Sequence, residues 1–421
     1  MSSNSVLQFP PGFLWGAATS PTQVEGHIEN EWTRFVAQDG SNCRIACDHY
    51  NRYPEDIQWM SQLGINAYRF GIEWSRLQSA PFAPLNRKEL DRYIDVLDRL
   101  IAKGITPMVV LHHFSNPQWI NERGGWTHPH TDKAFADYVR KLVAVLKERV
   151  YIWNTFNEPD TYACVAYILG GFPPGRKWKI GQFRRVISHM ARAHVKASRI
   201  IEREGNAGRK PEIGIAKNWT FFHAYRDFSP WDRTTAFSCH YIFNKFVLDA
   251  FLGGRRRRRS TFIGLNYYGR VRFHHFRAMI PASGAPLRRL KDFGFVCDDM
   301  VERYPEGMVK ILTYLNKKFH LPIYITEHGA ASNDEAFRER DLRENLTALH
   351  QSMSQGVDVR GFFYWSLMDN FEWQFGYTKK FGLLAVDFAN EKLPRTPKPL
   401  AGFYSKICRD NSVAAEPLAQ P

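Results

Sequence analysis

Short runs of apolar, β-branched and aromatic residues recur along the chain, separated by longer amphipathic stretches. Eight such runs stand out: Phe13 to Thr19, Ala67 to Trp74, Thr106 to His113, Tyr151 to Glu158, Glu212 to Thr220, Thr261 to Gly269, Pro322 to Gly329 and Gly361 to Met368. Each is too short for a helix and rich in Val, Ile, Tyr and Phe, which predicts strands. Between them, Arg87 to Lys103 places Leu90, Ile94, Leu97 and Ile101 on one predicted helical face. Lys133 to Arg149 and Phe183 to Arg203 repeat that spacing. Such stripes are ordinary core-facing helix surface. Strands alternating with helices imply a parallel sheet covered by helices. Eight in that order fit an α/β fold closed into a single (β/α)8 barrel. An open dinucleotide-binding sheet would carry a G-x-G-x-x-G turn after its first strand, and the sequence has none there. No linker, repeat or low-complexity block divides the 421 residues, so one domain over 1–421 is expected, with a loose tail from about Arg409.

Composition narrows the class. With 44% hydrophobic and 24% charged residues, the chain is neither disordered, collagen-like nor coiled-coil. Six cysteines are too few for a disulfide scaffold, so free thiols are expected. Cys43 and Cys47, beside Asp48 and His49, have no second pair to complete a zinc site. The first residues carry neither a basic patch nor an apolar core, and no apolar run is long enough to span a bilayer. A soluble cytoplasmic protein with no membrane partner is therefore expected. The net charge, 57 − 42 = +15, leaves room for an acidic partner. Five adjacent arginines, Arg255 to Arg259, are the one hint of nucleic-acid binding, and no nucleic-acid module accompanies them. A solvated surface loop is the simpler reading.

In such barrels the chemistry sits at the C-terminal ends of the strands. There the sequence places Gln23 and Glu25, Arg76, His112 and His113, Asn157 and Glu158, Asn266 and Tyr268, Glu327 and His328, Trp365 and Asp369. Glu158, in WNTFNEPD, and Glu327, in IYITEHGA, each close an apolar strand. A buried carboxylate costs free energy unless it is paired or hydrogen-bonded. For a single such residue an ion pair closing the barrel mouth is the better explanation. For two, on strands four and seven and among aromatics, catalysis is. Two carboxylates flanking a cleft are what glycoside hydrolysis requires: one protonates the leaving oxygen, and the other attacks the anomeric carbon or activates water.

Six blocks, in order, carry a resemblance: FLWGAATSPTQVEG, NAYRFGIEWSR, TFNEP, FIGLNYYGR, YITEHGA and FFYWSLMDNFEWQFGYTKKFGL. The sequence resembles glycoside hydrolase family 1, the β-glucosidase family, from about Phe9 to about Tyr404; GIEWSR and GGFPPG lie closer to its archaeal β-glycosidase branch. The resemblance implies a TIM barrel and an exo-acting, retaining hydrolase of terminal β-D-glucosides, with tolerance for β-galactosides or β-fucosides. Neither metal nor cofactor is implied, and the partners are small-molecule or oligosaccharide β-glycosides. By resemblance, Glu158 matches the general acid/base and Glu327 the nucleophile. Asn157 matches the contact to the sugar 2-hydroxyl, and Arg69 and Tyr268 the groups that hold the nucleophile, Arg69 keeping it ionised at neutral pH. Gln23, His113, Glu372 and Trp373 match sugar-hydroxyl contacts. Trp365 offers a flat face for the ring, Asn266 stands two residues before the tyrosine, and Phe381 matches a position near O6.

Some positions depart from the family. His328 replaces the Asn that follows the nucleophile, where a titratable group either alters the pH profile or packs. Phe114 replaces a Trp whose indole N–H would reach the sugar. The segment between strands five and six is short, which predicts a thinner cleft wall there. The alternatives are a transglycosylating member of the family, or a sugar-binding or basic interaction protein on the same barrel with weak or no activity.

Overall fold

The apolar runs become strands because each can bury one face inside a closed barrel and the other under helices. The computed structural model describes residues 5–205, 209–253, 259–283 and 295–417. Among these, eight parallel strands close into a barrel. They are β1 (Leu14–Ala18), β2 (Ala67–Gly71), β3 (Thr106–Val110), β4 (Ile152–Asn157), β5 (Glu212–Asn218), β6 (Ile263–Asn266), β7 (Ile323–His328) and β8 (Val359–Trp365). Neighbours in sequence are neighbours in space, and β8 closes onto β1 through Gly361 to Trp365 against Leu14 to Ala18. The α/β-barrel expectation holds. The final strand starts at Val359, two residues before the predicted run, and the other strands lie within theirs.

Helices cover the barrel: α1 (His49–Gln62), α2 (Arg87–Ala102), α3 (Thr131–Leu146), α4 (Pro159–Tyr167), α5 (Ile180–Glu204), α6 (Pro230–Cys239), α7 (Val247–Leu252), α8 (Glu306–Phe319), α9 (Glu335–Ser354) and α10 (Pro399–Asp410). On α2 the buried stripe is Leu90, Tyr93, Val96, Leu97 and Leu100; Ile94 is half-buried and Ile101 is 45% exposed. The expected face was thus rotated slightly, because the tyrosine at 93 joins the core as readily as an aliphatic residue.

The tail expected to be loose from about Arg409 is ordered through its first residues. Arg409 lies in the last turn of α10, which ends at Asp410, and Ser412–Ala414 pairs antiparallel with Val6–Gln8, tying the two ends of the described chain together. Between β5 and β6, where a thinner wall is expected, the described residues carry regular elements. The strand Phe221–Ala224 pairs with Arg270–His274, and α6 runs through a π-helical turn, His240–Phe246, into α7. Of the arginine run, Arg255 to Arg258 lie outside the described residues; Arg259 stands 3.4 Å from Glu202.

Two backbone features set the mouth. Glu158 leaves β4 in the left-handed region, φ 39°, at the start of α4. A Cβ on Gly329 would stand 2.0 Å from the Trp365 carbonyl oxygen, so only glycine lets the end of β7 approach the end of β8 this closely. Among the described residues no helix is long and apolar enough to cross a membrane.

Candidate active site

At the mouth, β4, β6 and β7 bring Glu158, Asn266 and Glu327 together through one connected set of hydrogen bonds. Arg69, from β2, is fully buried inside the barrel. Its guanidinium bonds the Glu327 carboxylate and, at 2.6 Å, the Asn157 amide oxygen. Tyr268 donates its hydroxyl to the other Glu327 oxygen at 2.6 Å. Asn266 donates to Glu158 at 2.6 Å and to Asn157 at 3.1 Å, and receives the Thr326 hydroxyl at 2.6 Å. Asn157 donates to His113 Nε2 at 2.9 Å. That fixes the neutral His113 with its proton on Nδ1, which has no partner among the described residues.

The second half of the site comes from the β8 end. Gln23 donates to Glu372 at 3.2 Å and to the Phe371 carbonyl at 2.9 Å. Trp365 lies near-parallel to His113, ring centroids 5.9 Å apart, and Phe381 packs edge-on to Tyr268 at 6.0 Å. Trp373 stacks toward His113 and meets Trp32 and Phe114 at 4.7 and 5.1 Å. Phe114, the position lacking an indole N–H, is thus part of an aromatic wall, and its carbonyl accepts the Trp32 indole N–H at 3.0 Å. Of the residues singled out by sequence, those matched by resemblance to catalytic and sugar-binding roles come together at this mouth.

The electrostatics are those of buried acids near one another. Burial pushes Glu327 up to about 7; the Arg69 guanidinium opposes this, the Glu158 charge adds to it, and the Tyr268 hydroxyl opposes it. Arg69 therefore does not by itself keep Glu327 fully ionised at neutral pH, because desolvation outweighs it. Burial, with the charges of Glu327 and Glu158, raises Glu372 to about 8, against the Gln23 and Trp365 hydrogen bonds. Burial, with Arg69 and His112, holds His113 well below the usual imidazole range, so it is neutral. Burial beside Glu327 holds Tyr268 well above the usual phenol range, so it donates at working pH.

Several strand-end groups lie outside this constellation. Glu25 pairs with Arg76 and Arg92 at 2.7 and 2.9 Å in a buried network with Tyr93. His112 bonds Asn116, and Asp369 accepts Lys398 at 2.7 Å. His328 points out of the barrel, its Nδ1 2.8 Å from the Tyr267 carbonyl oxygen and its Nε2 3.2 Å from Asp341 on α9. Cys43 and Cys47 are buried thiols, and no cluster of metal-ligating side chains occurs among the described residues. Sequence reasoning missed Asn218, which donates to the second Glu158 oxygen at 3.1 Å. It ends β5, the one strand whose terminal residue was not considered.

Comparison with known proteins settles the family. The sequence profile of glycosyl hydrolase family 1 matches residues 5–261 and 257–413. The chain belongs to glycosyl hydrolase family 1. The two family matches overlap at residues 257–261, at the end of the arginine run. Beta-glucosidase A of Thermotoga maritima is 31% identical, over 97% of this chain and 99% of that protein. The structure of a beta-glycosidase from Pyrococcus horikoshii is 33% identical with a TM-score of 0.84, covering 97% of this chain and 96% of that one. A Thermotoga maritima family 1 glycoside hydrolase complexed with a cyclophellitol analogue transition state mimic is 30% identical with a TM-score of 0.85, covering 98% and 100%.

Proposed function

We propose that this family 1 glycosyl hydrolase removes terminal β-D-glucosyl groups with retention, through a covalent glycosyl-enzyme intermediate, and tolerates β-galactosides or β-fucosides. The observation that carries the reading is the division of donors between the two carboxylates. Glu327 receives a guanidinium and a phenol, whereas Glu158 receives the neutral amides of Asn266 and Asn218. A carboxylate bonded by a cation suits attack as an anion; one bonded by amides suits carrying and returning a proton.

In the first step the Glu327 carboxylate forms a bond to the anomeric carbon as the bond to the leaving oxygen breaks. Glu158 gives its proton to that oxygen. In the second, Glu158 takes a proton from water, whose oxygen displaces Glu327 and frees the sugar with its configuration retained. Asn157 meets the 2-hydroxyl, and the unpaired His113 Nδ1–H is a ready donor to a neighbouring hydroxyl. Gln23 and Glu372 form an adjacent donor and acceptor pair for a diol, while Trp365, Trp373 and Phe381 supply apolar faces for the ring. No step requires a metal or cofactor.

The pairing of the N-terminal strand with the C-terminal strand supports reading the whole chain as one catalytic unit. Six free thiols support a reducing compartment, the cytoplasm. The test is a panel of aryl α- and β-glycosides with wild type and Glu327→Gln. Hydrolysis of β-glycosides only, glucosides fastest, and its loss in Glu327→Gln support the reading. A folded protein inactive on every sugar overturns it.

A further inference from the structure

The connections that follow β4, β5 and β6 carry an unusual surface. Six aromatic side chains there, Trp178, Phe228, Trp231, Phe237, Tyr241 and Phe276, are between 54% and 84% exposed. Among the described residues the remaining large aromatic this exposed is Phe82. Isolated exposed apolar residues need no explanation, but a concentration on one side of a protein does. Two members meet directly, and neighbouring segments of the surface touch. The rings of Trp231 and Phe276 lie 6.1 Å apart. The start of α5, just beyond Trp178, meets the π-helical turn through Phe183 and Arg184, each about 6 Å from the Phe246 ring. Asn244 in that turn bonds the Thr220 carbonyl, next to the Asn218 that holds Glu158, so the surface begins at the mouth.

Charge on this surface is predominantly positive, although Asp227, beside Phe228, is an exposed acid. Arg176, Lys177, Lys179, Arg233 and Arg277 are exposed, and none has a carboxylate partner among the described residues. Asp232, the one acid on α6, is buried and paired with Arg226 at 3.0 Å. Exposed Trp, Tyr and Phe flanked by unpaired Lys and Arg is the composition that seats at a lipid headgroup layer, with rings at the acyl boundary and cations on anionic headgroups. Cores of protein–protein interfaces are, by contrast, depleted of lysine. A phosphate backbone alone would have no use for the exposed Ile180 and Ile242 beside the rings. We propose that this face docks the protein on an anionic lipid bilayer, with the barrel mouth turned toward the headgroups. This is adsorption at a surface, and it needs no spanning helix.

The test is co-sedimentation of the full chain with unilamellar vesicles of phosphatidylcholine containing about 30 mol% phosphatidylserine, with pure phosphatidylcholine vesicles alongside. The expected result is binding to the anionic vesicles that fades at about 0.5 M salt. Trp231→Ser with Phe237→Ser, and separately Trp178→Ser, should weaken binding by about tenfold or more while the melting midpoint stays in place. Lys177→Glu with Lys179→Glu should weaken it selectively on anionic vesicles. Absence of binding overturns the proposal. So does binding that the aromatic substitutions leave unchanged, or that a single-stranded oligonucleotide displaces equally from wild type and variants, since either marks a simple polyanion site.

Discussion

Replacing Tyr268 by Phe should move the acidic limb of the activity profile to higher pH. The hydroxyl donates to Glu327 at 2.6 Å, and the carboxyl already sits at about 7 through burial. A hydrogen bond to a charged group contributes roughly 1.5–3 kcal/mol. One pKa unit corresponds to about 1.4 kcal/mol, so losing a donor to the anionic form should raise Glu327 by about 1–2 units. The sign follows from the chemistry: the anion attacks, the anion loses a partner, and a higher pH is needed to form it. On the free enzyme, kcat/KM reports this group. The wild-type limb should lie near 7, and the Tyr268→Phe limb about 1–2 units above it. Activity at pH 6 should then fall about tenfold or more and recover partly at alkaline pH. The assay is kcat/KM for an aryl β-glucoside across pH, with a melting curve to verify folding. A limb that stays in place, or moves toward acid, refutes the assignment of Tyr268 as a donor to the attacking carboxylate.

Glu25→Gln should lower stability at neutral pH but not in strong acid. Burial opposes ionisation of Glu25, yet Arg92 and Arg76 hold it at about 2 against an ordinary 4.5. That difference contributes about 3 kcal/mol, fully present above pH 4.5 and lost as pH falls toward 2. Denaturant unfolding at pH 7 and pH 3 measures it, and equal losses at both would contradict the pairing. His328→Asn should leave the acidic limb of the profile unmoved, because the ring faces α9; a shifted limb would place it in the site after all. Gly329→Ala should cost roughly 1–3 kcal/mol by overpacking against the Trp365 backbone, read as a lowered melting midpoint; an unchanged midpoint would mean that contact relaxes freely.

The barrel was legible because each strand is a local apolar run, and local pattern survives in a sequence. The same holds for Glu158, Glu327, Asn157 and Arg69, which sit within ordered blocks at strand ends. His328 was legible too, by a rule left unused: successive side chains on a strand face opposite ways, so an inward Glu327 forces an outward His328. What could not be read were partners distant in sequence. Ser412–Ala414 is three residues long, and its pairing with Val6–Gln8 spans nearly the whole chain. Asn218 reaches Glu158 from 60 positions away, and nothing local marks it except its place at the end of β5. The protonation of Glu327 is likewise a property of the assembled site, since burial and Arg69 oppose each other and only the packed barrel decides which prevails.

The central claim is that Glu327 forms a covalent bond to the sugar while Glu158 moves the proton. The most direct measurement is intact-mass and peptide mapping after incubation with a fluorinated β-glucoside activated to accumulate the glycosyl-enzyme. One sugar on the peptide containing Glu327, absent from Glu327→Gln, is the predicted result. A sugar on Glu158 or on any other residue, or an enzyme that turns over β-glucosides and never labels, would contradict the account.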